Sequence, residues 1–336
     1  MRPHRSLALA LAASLVLAAC GDDKKEEGSE PESQPVASAG ELSQTWPLTG
    51  LDVSGEDAAV QNHPVMVVKI DNSHSSAPQE GLDAADLVVE ELVEGGSTRL
   101  AAFFYSDIPD VVGPVRSMRA SDIGIVSPVG ATVVTSGAAA VTINRIKDAG
   151  IEFFAEGSEG FFRDSGRSAP YNLMTHLQET TAAASTDEEG RPVDYLPWGD
   201  AKDLPAGQPA ATLNAIFSGG HTSTWHFKGG QYVNDNSNAD PAAQFPADTI
   251  LVLRVQVGDA GYTDPAGNPV PETKLEGTGP AMIFHGGRLV RGTWSKDDLV
   301  SPIILSTKAG ELTVPAGHTW IELVPADGGD VTFTKR

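Results

Sequence analysis

A single cysteine in 336 residues, Cys20, sets the first constraint on this chain. One thiol cannot form an internal disulfide, so the fold must be held by its apolar core. The setting of that cysteine is equally informative. Arg2, His4 and Arg5 make a short basic start, and Leu7 to Leu17 is an apolar run of eleven residues broken only by Ser14. Such a run falls short of the roughly 20 residues that cross a hydrocarbon core. Leu17-Ala18-Ala19-Cys20 then reads as a lipobox, with small residues ahead of a thiol that takes a diacylglyceryl group. The expectation is a signal peptide over 1–19, lipidation at Cys20, and a mature protein on the outer face of the cytoplasmic membrane, in the cell envelope.

Residues 20–45 are polar, rich in Pro, Ser and Gly, and mostly acidic. They cannot bury enough apolar surface to offset their ordering entropy, which implies a flexible tether. A coil of this length has an end-to-end distance of roughly 25–30 Å. No later run reaches 18 apolar residues, so no transmembrane helix is expected. The whole chain carries 23 basic and 45 acidic residues, a formal charge of −22; without Arg2 and Arg5 the mature chain stands at 21 − 45 = −24. Nucleic acid is thereby excluded as a partner, because phosphate binding needs basic patches.

The pattern of the remaining sequence divides it. Val65 to Ile70 is β-branched and apolar and predicts a buried strand. Gly81 to Asp86 reads as one helical turn. Leu87-Val88-Val89 and Arg99 to Tyr105 read as a strand pair joined through Glu94-Gly95-Gly96-Ser97. Val115, Met118, Ile123 and Val126 are spaced roughly as on a helix, which predicts one over 114–126. Ala131 to Thr135 predicts a strand, and Ala138 to Ala149 a helix closed by Gly150. Residues 183–211 turn polar and rich in Pro and Gly, marking a linker or long loop between an α/β part over 46–182 and a β-rich part over 212–332. In the second part, strands are expected at 249–257, 281–284, 288–294, 303–306, 310–314 and 319–324, with Gly277-Thr278-Gly279-Pro280 as a turn.

These residues carry a resemblance. Ile70-Asp71-Asn72, Ala85-Asp86-Leu87-Val88-Val89-Glu90, Glu94-Gly95-Gly96-x-Thr98-Arg99 and Val112-Gly113-Pro114-Val115-Arg116-Ser117-x-Arg119 are similar to the YerB-like lipoproteins, a family classed as a domain of unknown function. Arg163-Asp164, Arg167-x-Ala169-Pro170-x-Asn172-Leu173, Gly287-x-x-Val290-x-Gly292-Thr293-Trp294 and Gly317-x-Thr319-Trp320-Ile321 continue the match in order. The element order predicts an α/β (α+β) fold with a mostly antiparallel second half, and the resemblance implies a three-layer sandwich of two sheets and a helical layer. It supplies no reaction. Tyr171 departs from the family, which often has His before Asn-Leu.

The chemistry legible in the residues is that of acids and arginines beside turns. Arg116, Ser117 and Arg119 follow Gly113-Pro114 and would open the expected helix, where exposed N–H groups and two guanidiniums suit an anion. Arg99, Arg163, Arg167 and Asn172 could add to such a pocket, with Asp71, Glu90, Glu94 and Asp164 shaping it. The opposing expectation is that these charges pair with one another and brace the fold. Glu90, Glu94 and Asp164 are also candidate catalytic acids for glycan cleavage, if two of them stand about 5–10 Å apart. A third possibility is an accessory protein acting through protein partners alone. Motifs for serine hydrolases, zinc proteases, P-loops and dinucleotide folds are missing from the sequence. Ser117 with His176 makes an unsupported nucleophile and base, and His221 with His226, five apart in a β-rich stretch, is expected to face opposite sides of a sheet. No metal and no cofactor are expected. Trp225, Trp294 and Trp320 are expected in the core, with sugar stacking as the minority role.

Overall fold

The computed structural model describes residues 45–53, 60–185 and 190–335. The expected signal peptide, lipobox and nearly all of the tether lie outside the described residues. The described part falls in one compact unit, Ser43–Arg336. It is predominantly β with short helices, a mixed α+β fold.

Among the described residues, thirteen strands form one sheet. Its middle is built by β1 (Met66–Asp71), β2 (Leu87–Leu92) and β3 (Thr98–Phe104). The β-branched run of β1 is buried along its whole length because strands cover both of its edges and cores cover both faces. β2 and β3 pair antiparallel through the expected turn, where Gly95 and Gly96 take φ of 71° and 75°. Strand Thr319–Pro325, from the far end of the chain, lies between β2 and strand Thr249–Thr263 and runs parallel to both. The parts on either side of 183–211 thus contribute to one continuous sheet.

Side-chain alternation splits this sheet into two cores. Val67, Leu87, Val89, Ala101, Phe103, Ile321 and Leu323 face one way. Helix α1 (Asp122–Val126), Ile146 of helix α2 (Ala140–Asp148), Tyr195 and Leu196 cover them. Val68, Val88, Ala102, Trp320 and Val324 face the other way, against Leu213, Ala215, Trp225 and Tyr232 of a four-stranded sheet. That second sheet runs Gln231–Asn234, Thr222–Lys228, Thr212–Ile216, Asp330–Thr334.

Two sequence expectations are corrected. The helix over 114–126 exists only as α1. The Val115 N–H donates to Leu173 O at 2.7 Å and the Arg116 N–H to Lys69 O at 2.7 Å, so residues 114–118 run extended past the end of β1. Val115 and Met118 look helically spaced, yet they enter opposite cores. Gly277-Thr278-Gly279-Pro280 is strand, within Gly277–His285. A Cβ at Gly279 would stand 2.4 Å from Arg254 O and 2.6 Å from Trp294 Nε1, so glycine permits close approach there rather than a turn. Trp225, Trp294 and Trp320 are 1%, 2% and 3% exposed, which leaves no ring face for a sugar.

One charge lies inside β1. Lys69 is fully buried, and its Nζ donates to Glu91 Oε1 of β2 at 2.8 Å and to Asp122 Oδ1 of α1 at 2.6 Å. Asp122 Oδ2 in turn accepts the Arg119 N–H at 2.6 Å. This buried set fixes the helix against the sheet. Lys69→Ala would leave two buried acids facing each other, so urea unfolding of the full chain should show a loss of about 3–5 kcal/mol. A loss below about 1 kcal/mol, the scale of an exposed pair, would mean the triad is not buried as described.

Candidate functional site

The polar end of the sheet holds most of the candidate charges. Arg99 ends its pairing opposite Asp71 and Glu91, on the face carrying α1. Its Nη2 donates to Glu94 Oε1 at 3.1 Å and its Nη1 to Ser117 O at 2.9 Å. Arg119 grips the same carboxylate, Nε donating to Glu94 Oε2 at 2.9 Å and Nη2 to Oε1, while Nη1 donates to Met118 O at 2.8 Å. Burial lowers the Arg99 guanidinium to about 10, with the Arg119 and Arg116 charges adding to the effect against Glu94 and Asp71. For Glu94, burial works against ionisation but is outweighed by the Arg119 hydrogen bond and the Arg99 and Arg119 charges, so its pKa falls. That is a bracing arrangement, and it spoils Glu94 as a proton donor.

Arg116 differs. Its Nε donates to Asp71 Oδ2 at 2.7 Å, and Asp71 Oδ1 accepts the Ser73 N–H at 2.8 Å. Both terminal nitrogens of Arg116 are without a hydrogen-bond partner among the described residues, and its side chain is 23% exposed. The guanidinium stands 5.4 Å over the ring of Tyr171. Tyr171 walls a shallow, solvent-open hollow of about 440 Å³ together with Ser75, Pro78, Asp164, Arg167 and Ser168.

The loop carrying Tyr171 is tied down by its own arginines. Arg163 donates to Glu156 at 2.7 and 2.8 Å and to Asn172 Oδ1 at 2.5 Å. Arg167 donates to Asp164 Oδ2 at 3.1 Å, Ser76 O at 3.2 Å and Glu80 Oε1 at 2.5 Å. These contacts clamp the 163–172 loop onto the 72–80 loop. Arg163, Arg167 and Asn172 are therefore spent on structure.

Glu90 is elsewhere. It follows Val88 on the face covered by the four-stranded sheet, while Glu91 follows Val89 on the opposite face. Glu90 Oε1 accepts from Thr98 Oγ1 at 2.7 Å, Asn72 Nδ2 at 3.0 Å and Ser223 Oγ at 3.0 Å, and lies 2.7 Å from His221 Nε2. Its register neighbour across to Thr319–Pro325 is Glu322, and both acids are fully buried. Burial and then the Glu90 charge push Glu322 well above the ordinary carboxyl range. Trp225 Nε1 donates to Glu322 Oε1 at 2.7 Å. Burial opposes ionisation of Glu90, but the His221 hydrogen bond and charge outweigh it and lower its pKa. Burial likewise opposes the His221 cation and is outweighed by Glu90, so the imidazole pKa rises.

The structure thus brings Asp71, Glu94, Arg99, Arg116, Ser117 and Arg119 together, with Asp164 and Arg167 across Tyr171. It leaves Glu90 on the far face, locked among donors, so Glu90 and Glu94 do not flank a common cleft. Ser117 Oγ meets Ser136 Oγ at 3.1 Å, whereas His176 pairs with Asp110 at 3.0 Å, so those two do not form a nucleophile and base. His226 is held by Asp235 at 2.6 Å, apart from His221. Among the described residues no group of three or more His, Cys, Asp or Glu is placed to hold a metal. Sequence reasoning missed Glu322 and Glu80, and named His221 only beside His226. For Glu322 a signal existed: a lone acid inside the apolar strand Thr319–Pro325 needs a buried partner.

A raised folded-state pKa means the proton is bound more tightly in the folded chain, so that share of stability is lost as pH rises. Glu322 loses it upward from the ordinary 4.5, and His221 upward from 6.5. Glu90, whose pKa is lowered, adds stability that disappears only in acid, below 4.5. Glu322→Gln removes the titrating carboxyl and keeps the side chain's size. Thermal melts of the full chain between about pH 5 and pH 8 should show a smaller decline in Tm for this variant than for the wild type. Parallel declines would mean that the Glu322 pKa is not raised in the folded chain.

Comparison with known proteins agrees with this fold. The family model described as the N-terminal domain of a protein of unknown function, DUF3048, matches residues 48–190, and its C-terminal domain model matches 213–321. The chain is 25% identical over 298 residues to "Putative lipoprotein YerB" of Bacillus subtilis (strain 168), covering 83% of this chain and 86% of that relative. The crystal structure of Bacillus subtilis YerB superposes with a TM-score of 0.70 at 22% identity, covering 86% of this chain and 99% of the other, a likeness of fold. With both domain models matched in order along its length, the chain belongs to the DUF3048 family, whose function is unknown.

Proposed function

We propose that this protein is a lipid-anchored envelope protein, held on the outer face of the cytoplasmic membrane through Cys20, whose first half binds an anionic ligand beside Arg116 and Tyr171. The anchor rests on the lipobox reading and on the lipoprotein name of its Bacillus relative. The fold reads as a three-layer sandwich, supported by the two cores on opposite faces of the large sheet.

One observation carries the binding site. Of the five candidate arginines, Arg116 alone keeps both terminal nitrogens without a protein partner among the described residues, over the ring of Tyr171, which lines a solvent-open hollow. A guanidinium fork of this kind suits a carboxylate or a phosphate oxygen pair. Asp71 fixes its Nε edge, so little side-chain entropy remains to be lost on binding. Charge is also graded along the cluster. Lys69 with Glu91 and Asp122, fully buried, carries the negative excess, and Arg99, Arg116 and Arg119 with Asp71 and Glu94 carry the positive excess toward solvent.

Isothermal titration of the purified full chain with simple carboxylates and inorganic phosphate provides the test. Arg116→Ala should weaken binding roughly tenfold to a hundredfold, the equivalent of about 1.5–3 kcal/mol for charge-assisted hydrogen bonds. Arg163→Ala should leave it unchanged, because Arg163 is spent on Glu156 and Asn172. Unaltered affinity in Arg116→Ala would exclude the assignment.

A further inference from the structure

Granting the anion site, the composition of its surroundings narrows the ligand. The hollow has room for more than a bare anion: about 440 Å³ lies within the range of pockets for small organic ligands. Three hydroxyls border it, those of Ser75, Ser168 and Tyr171, and none has a hydrogen-bond partner among the described residues. A hydroxyl both donates and accepts, so three of them match a ligand with hydroxyls of its own.

The acids beside the arginines add a second constraint. Asp164 lines the hollow with its carboxylate 35% exposed, and Glu80, 45% exposed, stands on the other side of Arg167. Both are anchored through Arg167, and each keeps acceptor capacity facing solvent. Two such carboxylates repel a compact dianion but accept hydrogen bonds from sugar hydroxyls. An anionic group at Arg116 and hydroxyls at Asp164 and the serines are satisfied together only by a molecule carrying both. Tyr171 lies between the two regions and presents an apolar body with a polar tip.

We propose that this hollow binds a sugar acid, a pyranose ring bearing one carboxylate or phosphate, in preference to a bare anion or a neutral sugar. The anionic group meets the free fork of Arg116, and the ring hydroxyls meet Asp164, Ser75, Ser168 and Tyr171. The proposal rests on the anion-binding reading, and its failure is distinguishable from failure of that reading.

Isothermal titration of the full chain with glucuronate, glucose 6-phosphate, glucose, acetate and inorganic phosphate separates the cases. The expected result is that glucuronate or glucose 6-phosphate binds at least about tenfold more tightly than glucose, acetate or phosphate. Exposed Ser75 and Ser168 permit the conservative double variant Ser75→Ala with Ser168→Ala. This variant should weaken the sugar acids toward the level of the bare anions and leave acetate unchanged. Acetate or phosphate binding as tightly as the sugar acids would overturn the sugar proposal while leaving the anion site standing. Glucose binding as tightly as glucuronate, or no binding by any of the five, would overturn both.

Discussion

The polar end of this molecule depends on the pairing of β2 with strand Thr319–Pro325. That pairing closes the large sheet across the two matched family domains and sets Glu90 beside Glu322 in a fully buried place. Alternation along β2 then sends the next residue, Glu91, to the opposite core. Each acid needs its own compensation, since an isolated buried carboxylate is costly. On one face the compensation comes from the raised pKa of Glu322 and from the hydrogen bonds that Thr98, Asn72, Ser223 and His221 make with Glu90. On the other it is the ammonium of Lys69. Two consecutive residues thus tie the same strand into both layers that cover it.

Much of the fold was legible because local patterns suffice for it. The β-branched run of β1 and the glycine turn between β2 and β3 each announce themselves within about ten residues. The error at 114–126 came from reading spacing as periodicity. Val115 and Met118 are apolar because each serves a different core, a relation fixed by Lys69 O and Leu173 O far away in sequence. No local pattern could place Thr319–Pro325 between two strands that it meets in parallel.

The site shows the same division. The stretch around Arg116 and the loop of Arg163 and Arg167 are visible as arginines beside turns. Which guanidinium is free is decided by distant partners: Glu80 lies 87 positions from Arg167, and His221 lies 131 positions from Glu90. The alternative expectation, that arginines brace the fold, holds for four of the five. Arg116 escapes it because its partner, Asp71, uses its second oxygen on the Ser73 turn and engages only the Nε edge.

The braced arginines still matter for the free one. Arg99 and Arg119 hold Glu94 tightly, so that carboxylate cannot swing over to neutralise Arg116. Their own charges remain close enough to be felt, as the lowered pKa of Arg99 records. In a chain of net charge −22 the far field repels anions, and at physiological ionic strength it is screened beyond about 8 Å. Short-range geometry therefore decides binding there. A partly buried fork, held by one acid and surrounded by other cations, keeps its attraction inside that distance. In the proposed binding role, the acidic exterior disfavours a polyanion more than a ligand with a single anionic group.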